Sequence, residues 1–440
     1  MSRYLLSLFL FIFSVIVWAN DPFDELDREI FRFNAEQGNA QSVQDDFQQY
    51  VQSQQSEYQN WQREYLEEFD QFQQSVVEKW GRAELINATS DIEFTENKNV
   101  KSVIDYENET VRVELIIDKA LSDKEAEVAI KKQVKKLLAD KKSNIAKVFE
   151  GESFQEQGDI ALAEVQFSEK NKQQSKAIIV QQTQSQAQEI DKKSDLALLE
   201  GSLLTEQEAR LLASQEKSEL LKSSQERLST TEKNYNTAQK NANNDTKIVS
   251  YTVKLPKNSL QKNARKYAHF AEFESKVNHI SAPLIMAIMH SESAFNPNAK
   301  SAVPAYGLMQ IVPHTAGHDV NRLIRNIDKP MSADELYVPK INVETGSAYL
   351  NILDKRYLKA ISNEQSRLYC TIASYNTGAG NVARAFNKDG SRNINKAAKV
   401  INQLSPDEVY QQLIAKLPYD ETKHYLQRVN SRIALYQTSL

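Results

Sequence analysis

The sequence predicts an α+β fold: a mainly helical C-terminal domain, preceded by an α+β N-terminal domain that carries a long helical insertion. Three observations predict it. Of ten prolines only Pro22 precedes residue 250, so ring sterics break no helix across residues 24–249, where Gln, Glu, Lys, Ala and Leu dominate. Charge divides at the same place, +9 from Tyr251 onward and −14 before it, within a total of −5. Two short stretches, residues 100–119 and 248–255, alternate apolar and polar side chains, the period of a strand. At 440 residues the chain also exceeds one ordinary core, so several domains are expected.

Residues 1–19 read as a secretory signal. Arg3 lies in a short basic start, an apolar run follows from Tyr4 to Val17, and Val17-Trp18-Ala19 fits a small-residue cleavage site. The run is too short for a membrane span. No cysteine precedes Cys370, so none is placed to carry a lipid, and the expectation is an exported, soluble mature protein. A single cysteine excludes an internal disulfide, and Cys370 among Leu368, Tyr369 and Ile372 reads as a core residue.

Residues 20–150 form the N-terminal domain. Trp61, Tyr65, Phe69, Phe72, Val76 and Trp80 recur every three or four residues, the pattern of an amphipathic helix that ends near Gly81. Val103 and Tyr106, then Val111, Val113, Leu115 and Ile117, alternate around Glu107-Asn108-Glu109, which predicts a β-hairpin. Residues 125–138 return to helix. Residues 151–245 are polar, with a thin leucine seam (Leu198, Leu199, Leu203, Leu204, Leu211, Leu212, Leu220, Leu221, Leu228). Paired or coiled-coil helices are predicted there, with partial disorder as the alternative, in an arm dispensable for chemistry. Residues 246–256 supply a strand that completes the N-terminal sheet, with Val249, Tyr251, Val253 and Leu255 on one face. Residues 257–440 break into short helices between Pro, Gly and Asn turns.

In that last domain one short helix, residues 281–293, carries an acid at its end. Ser281 can cap it and Pro283 sits in its first turn. Leu284, Ile288 and Glu292 fall at i, i+4 and i+8, and Ile285 with Met289 widens the stripe, so a carboxyl lies on the face that should be buried. Asn296-Pro297 stops the helix just beyond, at the negative end of its dipole. Desolvation and dipole both push the pKa upward, as a general acid at neutral pH requires. For a lone Glu, the plain alternative is a helix-end side chain turned to solvent.

Four clusters accompany it: His290-Ser291-Glu292-Ser293-Ala294-Phe295-Asn296-Pro297; Tyr306-Gly307-Leu308-Met309-Gln310-Ile311; Ala373-Ser374-Tyr375-Asn376-Thr377-Gly378; and Glu421-Thr422-Lys423-His424-Tyr425. An acid, an aromatic ring to pack a pyranose face and Asn or Gln for hydroxyl and acetamido groups are the parts of a sugar site. In this order they resemble the lytic transglycosylases of the goose-lysozyme-like superfamily, glycoside hydrolase family 23. The resemblance covers roughly residues 255–436. Upstream, Trp80-Gly81, Ile104-Asp105-Tyr106 and Tyr251-Thr252-Val253 resemble the N-terminal domain of the murein transglycosylase C branch of that family.

The resemblance implies a lysozyme-like catalytic domain over residues 257–440 and a periplasmic enzyme. It also implies cleavage of the β-1,4 bond between N-acetylmuramic acid and N-acetylglucosamine, leaving a 1,6-anhydro end. Glu292 matches the family's catalytic acid/base. Ser293, Ser301, Gln310, Tyr375, Asn376, Glu421 and Tyr425 match positions that bind substrate or close the site. Departures are Ser374 where Ala is usual, Pro304 where many members have Gly, the missing N-terminal Cys of the transglycosylase C branch, and the length of the Gln-rich stretch. A hydrolysing glycosidase ordinarily needs a second carboxylate, and the clusters supply only Glu421 besides Glu292, in a role that looks structural. The alternatives are a muramidase hydrolysing the same bond, or a catalytically idle wall-binding or assembly protein.

No cofactor is expected. His314 and His318 lie four apart, but no Cys or close carboxylate cluster joins them, so no metal is expected either. The basic residues are not interleaved with aromatics, so nucleic acid is not an expected partner. Peptidoglycan strands are, and an envelope protein bound through the helical insertion remains open.

Overall fold

The computed structural model describes residues 40–84, 88–152, 154, 157–199, 205–242, 245–301 and 303–437. The chain divides into two compact units, residues 1–57 and 58–440. Of the first, only the opening of one helix is described, and the predicted signal at residues 1–19 lies outside the described residues.

That helix, α1 (Ala40–Trp80), ends at Gly81. The φ there is +67°, and a Cβ would sit 2.6 Å from the Gln166 carbonyl oxygen, so glycine is required. Phe69, Val76 and Trp80 of the predicted aromatic face are buried, and the Trp80 Nε1–H donates to the Lys98 carbonyl at 2.9 Å. Strands β1 (Ser90–Phe94), β2 (Val100–Asp105) and β3 (Thr110–Asp118) follow as antiparallel neighbours. Helix α2 (Asp123–Ala139), opened by a Ser122–Glu125 capping box, and α3 (Asn144–Val148) come next. Ile130, Val134 and Ile145 pack against Val111, Val113, Val249 and Tyr251 in one core.

The segment expected to be helical throughout begins instead with a strand, β4 (Asp159–Glu164). Its side chains are mostly exposed and its sequence hardly alternates; pairing with a neighbour supplies what local pattern lacks. Helices α4 (Glu169–Leu199) and α5 (Glu206–Lys240) then run out and back, and β5 (Thr246–Lys254) returns between β3 and β4, giving the order β1-β2-β3-β5-β4. Polar pairs close the helical hairpin. Thr183 and Ser224 share a hydrogen bond of 2.7 Å, Lys176 meets Glu232 at 2.8 Å, and Arg227 reaches both Gln182 and Asp70. Leu211 and Leu221 of the leucine seam face outward, 59% and 57% exposed.

The sheet also buries a cation. Lys101 is fully buried, pairs with Glu84 at 2.7 Å and with Glu114, and lies 4.7 Å from the Trp80 ring centroid. Arg82 reinforces Glu114 at 2.9 Å. Removing one partner of such a cluster strands the others in low dielectric, so Lys101→Ala should lower stability by roughly 3–5 kcal/mol. Urea unfolding of the full chain would measure it.

The C-terminal part packs short helices around one buried rod: α6 (Ser259–Asn278), then the rod itself, α7 (Ala282–Ser293). After a π-helical turn at Pro313–Gly317 come α8 (His318–Leu323), α9 (Ala333–Leu336) and α10 (Pro339–Asn351), the last running into a second π turn, Ile352–Tyr357. Helices α11 (Glu364–Thr377), α12 (Ala379–Phe386), α13 (Ile394–Ile401), α14 (Pro406–Lys416) and α15 (Asp420–Gln437) complete it. Every residue of α7 from Leu284 to Ser291 is buried, so its C-terminal end is held from all sides.

Candidate active site

Helix α7 places Glu292 one residue before its end. Ser281 occupies the N-cap position, but its side chain makes no cap bond; Pro283 offers no N–H, and the Ser281 carbonyl instead accepts from Leu284 and Ile285. At the far end Ala294 and Phe295 both take positive φ, +48° and +62°, a costly backbone for non-glycine residues. The surroundings enforce it. Ser293 is fully buried and its hydroxyl donates to the Leu308 carbonyl at 2.8 Å, tying the acid's motif to the second cluster. From α15, Tyr436 meets His290 Nδ1 at 2.9 Å and Arg432 donates to the His290 carbonyl at 3.0 Å. Burial, with Arg432 nearby, pushes His290 down to about 4, so it packs as a neutral ring against Phe295.

Glu292 itself is half-buried at the bottom of the site. Burial pushes its carboxyl up to about 7; the Tyr425 hydroxyl, Lys192 and Arg428 pull it back, and Glu421 adds to the rise. The Tyr425 hydroxyl is wholly enclosed beside this carboxyl, where the two groups act on each other's ionisation. Tyr375 is also near, its hydroxyl donating to the Met309 carbonyl at 2.8 Å. Helices α7, α11 and α15 thus bring Glu292, Tyr375 and Tyr425 together.

The other predicted positions brace the walls. Asn376 accepts from the Thr422 hydroxyl at 2.7 Å, joining the third cluster to the fourth. Gln310, at φ +49°, donates to the Ala299 and Gly307 carbonyls at 3.1 and 2.9 Å, while its own amide oxygen is buried without a partner. Ser301 closes a local turn, accepting from Ala305 N–H at 3.2 Å and donating to the Val303 carbonyl. Glu421 is exposed. Of the histidine pair, His318 lies 2.8 Å from Asp328, and burial pushes His314 down to about 4. A cavity of about 680 Å³ between α1, α4 and α5 holds none of these residues.

Sequence reasoning missed two contributors. Asn342, on α10, is fully buried; it accepts from Met309 N–H at 2.8 Å and donates to the Tyr306 and Leu336 carbonyls at 2.7 and 2.8 Å. It therefore holds the second cluster's turn, where Gly307 at φ +75° leaves no room for a Cβ, 2.4 Å from Asn342 Nδ2. The other is α4, the first helix of the insertion. Its Glu189 accepts from the Thr315 hydroxyl at 2.8 Å and its Asp195 from Gly380 N–H at 3.0 Å. The insertion, expected from the sequence to be dispensable for chemistry, thus docks through buried acids against the C-terminal helices.

Residues 270–398 match the family model for the transglycosylase SLT domain. The chain is 44% identical over 190 residues to a protein named membrane-bound lytic murein transglycosylase C from Serratia proteamaculans, 43% of this chain and 52% of that one. The protein of that name from Yersinia pestis is 44% identical over 185 residues, 42% and 50%. The chain thus spans about half the length of the curated relatives it matches. Among solved structures, an inactive mutant of the lytic transglycosylase Slt from Pseudomonas aeruginosa aligns at 28% identity and a TM-score of 0.30, over 39% of this chain and 24% of that one.

These relatives overturn the expectation of a soluble periplasmic protein, since they are named as membrane-bound. The expectation rested on the absence of a cysteine near a predicted cleavage site, which does not bear on membrane association as such. Among the described residues no helix is long and apolar enough to cross a membrane. The stretch that resembles the transglycosylase SLT domain, residues 270–398, contains Glu292 and the first three of the four motifs.

Proposed function

We propose that the chain is a peptidoglycan lytic transglycosylase, cleaving between N-acetylmuramic acid and N-acetylglucosamine with Glu292 as its one acid/base. The observation that carries this reading is the state of the carboxyls around the site. Glu292 has a pKa near 7 and no cation bonded to it, so much of it is protonated at neutral pH. Two buried acids of α4 are bonded to the walls of the site, one of them, Asp195, also pushed up to about 7 by burial. Glu189 accepts from Thr315 and pairs with Lys192 at 2.7 Å, while Asp195 accepts from Gly380 and meets Arg392 at 3.2 Å. Glu421 is exposed. With Glu421 exposed and Glu189 and Asp195 bonded to the walls, none of these three is set up as a base for water, which favours transglycosylation over the muramidase alternative.

The reaction then needs one residue twice. Glu292 gives its proton to the glycosidic oxygen as the bond breaks, and the substrate's own N-acetyl group stabilises the cation at the anomeric carbon. The carboxylate left behind takes the proton of that sugar's C6 hydroxyl, whose oxygen closes the 1,6-anhydro ring. Glu292 ends protonated, as it began, and no water is consumed. Tyr425, facing the carboxyl, steadies it in the ionised stage. Tyr425→Phe and Asn376→Ala should lower the rate less than loss of Glu292, because these residues position rather than transfer protons. The relatives' names, which specify murein transglycosylases, support the same substrate class.

The test is incubation of the purified chain with wall sacculi. Release of soluble fragments carrying 1,6-anhydro-N-acetylmuramic ends is expected. Fragments with free reducing ends would favour the muramidase, and an inert mixture would favour an idle wall-binding protein.

A further inference from the structure

The insertion is built into the site. Glu189 and Asp195 sit six residues apart on α4, about 9 Å along a helix. The first bonds to Thr315, four residues past the second cluster; the second bonds to Gly380, four residues past Asn376 of the third. Between these anchors Lys192 lies against Gly378, its Cγ 2.8 Å from where a Cβ would be, and its charge acts on Glu292. The two clusters that wall the Glu292 site are therefore bridged by one helix.

The bridge is specific. Asp191, 2% exposed, pairs with Arg392 at 2.8 Å and Lys217 of α5 at 2.7 Å, and accepts from the Tyr419 hydroxyl at 3.3 Å. Gly380 has space only for hydrogen: a Cβ there would come within 2.2 Å of the Asp195 carboxyl carbon. The glycines behind the Ala-Ser-Tyr-Asn motif admit the helix. Buried acids cost several kcal/mol unless satisfied, and here Asp191 and Asp195 pair with Arg392 and Glu189 accepts from Thr315 across the junction, so the docking is a fixed part of the fold.

We propose that α4 is a strap that closes the groove beside Glu292, so that a glycan strand enters by its end and is cleaved there instead of being laid across the site. A helix with its side chains is roughly 10–12 Å thick, and one anchored to both walls, with Lys192 against Gly378, would stand in the path of a polysaccharide continuing past that side of the site. Lys192, between the anchors, is the cation the strand's end would meet. This inference rests on the transglycosylase reading and adds to it the mode of attack.

The test compares long purified glycan strands with a short soluble glycan fragment, using the full chain and two variants. One variant joins Glu164 to Lys247 by a short turn, which the antiparallel pairing of these residues permits, and so deletes the helical hairpin. The other, Glu189→Ala with Asp195→Ala, removes both anchors; circular dichroism and melting check that each is folded. The full chain should release small end fragments from the start of digestion while the remaining strands stay long. A folded variant should shift to early mid-strand cuts, with most strands shortened at once. Early mid-strand products from the full chain would overturn the strap, as would an unchanged end-wise pattern in either folded variant. The full-chain result stands even where a variant fails to fold. Failure of the full chain to cleave strands and fragment alike would instead overturn the transglycosylase reading beneath it.

Discussion

Glu292→Gln should lower turnover on glycan strands by about 10²-fold or more, the usual worth of positioned general acid–base catalysis, while leaving the fold intact. The amide keeps the shape of the side chain and removes its proton. Wild-type activity should in turn fall as pH rises through about 7, where burial has placed the carboxyl's ionisation. The same shift has a sign in stability. A carboxyl whose folded pKa lies above its unfolded value opposes folding once it ionises in the unfolded chain. Its contribution is therefore whole below about pH 4.5 and is lost progressively up to about pH 7. Glu292→Gln should accordingly match wild type in acid and be the more stable protein at pH 8. The gain is about 1–3 kcal/mol after allowance for partial exposure, at ~1.4 kcal/mol per pKa unit. Parallel urea titrations at pH 4 and pH 8 would read it. A variant equally active and equally stable at both would remove Glu292 from the chemistry.

Asn342→Ala should be the most damaging single change outside the acid. It strands one backbone N–H and two carbonyls, of Met309, Tyr306 and Leu336, all reached by one buried side chain. Each unsatisfied buried group costs about 1–3 kcal/mol, so a loss of roughly 3 kcal/mol or more is expected. Activity should fall further than stability alone accounts for, because the Tyr306–Gln310 turn loses its support. Asn342→Asp should rescue little, since a carboxylate accepts from Met309 but cannot donate to the two carbonyls. Melting temperature and residual turnover at 20 °C, well below the transition, separate the two effects.

What was legible in the sequence was what depends on neighbours in the chain. The apolar stripe of α7 and the position of Glu292 at its end follow from helical periodicity. The hairpin at β2 and β3 follows from period two, since Val111, Val113, Leu115 and Ile117 alternate over a turn that needs little else. The four motifs were readable because their spacing carries the site. What was not legible depends on partners far along the chain. Strand β4 is an exposed edge whose register exists only because β5 returns beside it from more than eighty residues on. Asn342 looks like an ordinary helical asparagine until the turn 33 to 36 residues earlier is folded against it. The docking face of α4 is Glu189, Asp191, Lys192 and Asp195, a composition that reads as solvated helix and becomes an interface only through Thr315, Gly380 and Arg392. The leucine seam was readable only in part: Leu212, Leu220 and Leu228 are partly buried, Leu211 and Leu221 face outward, Leu198, Leu199, Leu203 and Leu204 lie outside the described side chains, and polar pairs such as Thr183–Ser224 help close the hairpin.

In the proposed mechanism one carboxyl, Glu292, cleaves the glycan without water. Digestion of strands in water enriched in heavy oxygen, followed by mass measurement of the released muramic ends, tests it most directly. The expected ends are lighter by one water than a hydrolysed product and carry no heavy oxygen, with their formation suppressed in Glu292→Gln. Ends carrying one heavy oxygen, formed at a rate that depends on Glu292, would contradict it and establish hydrolysis.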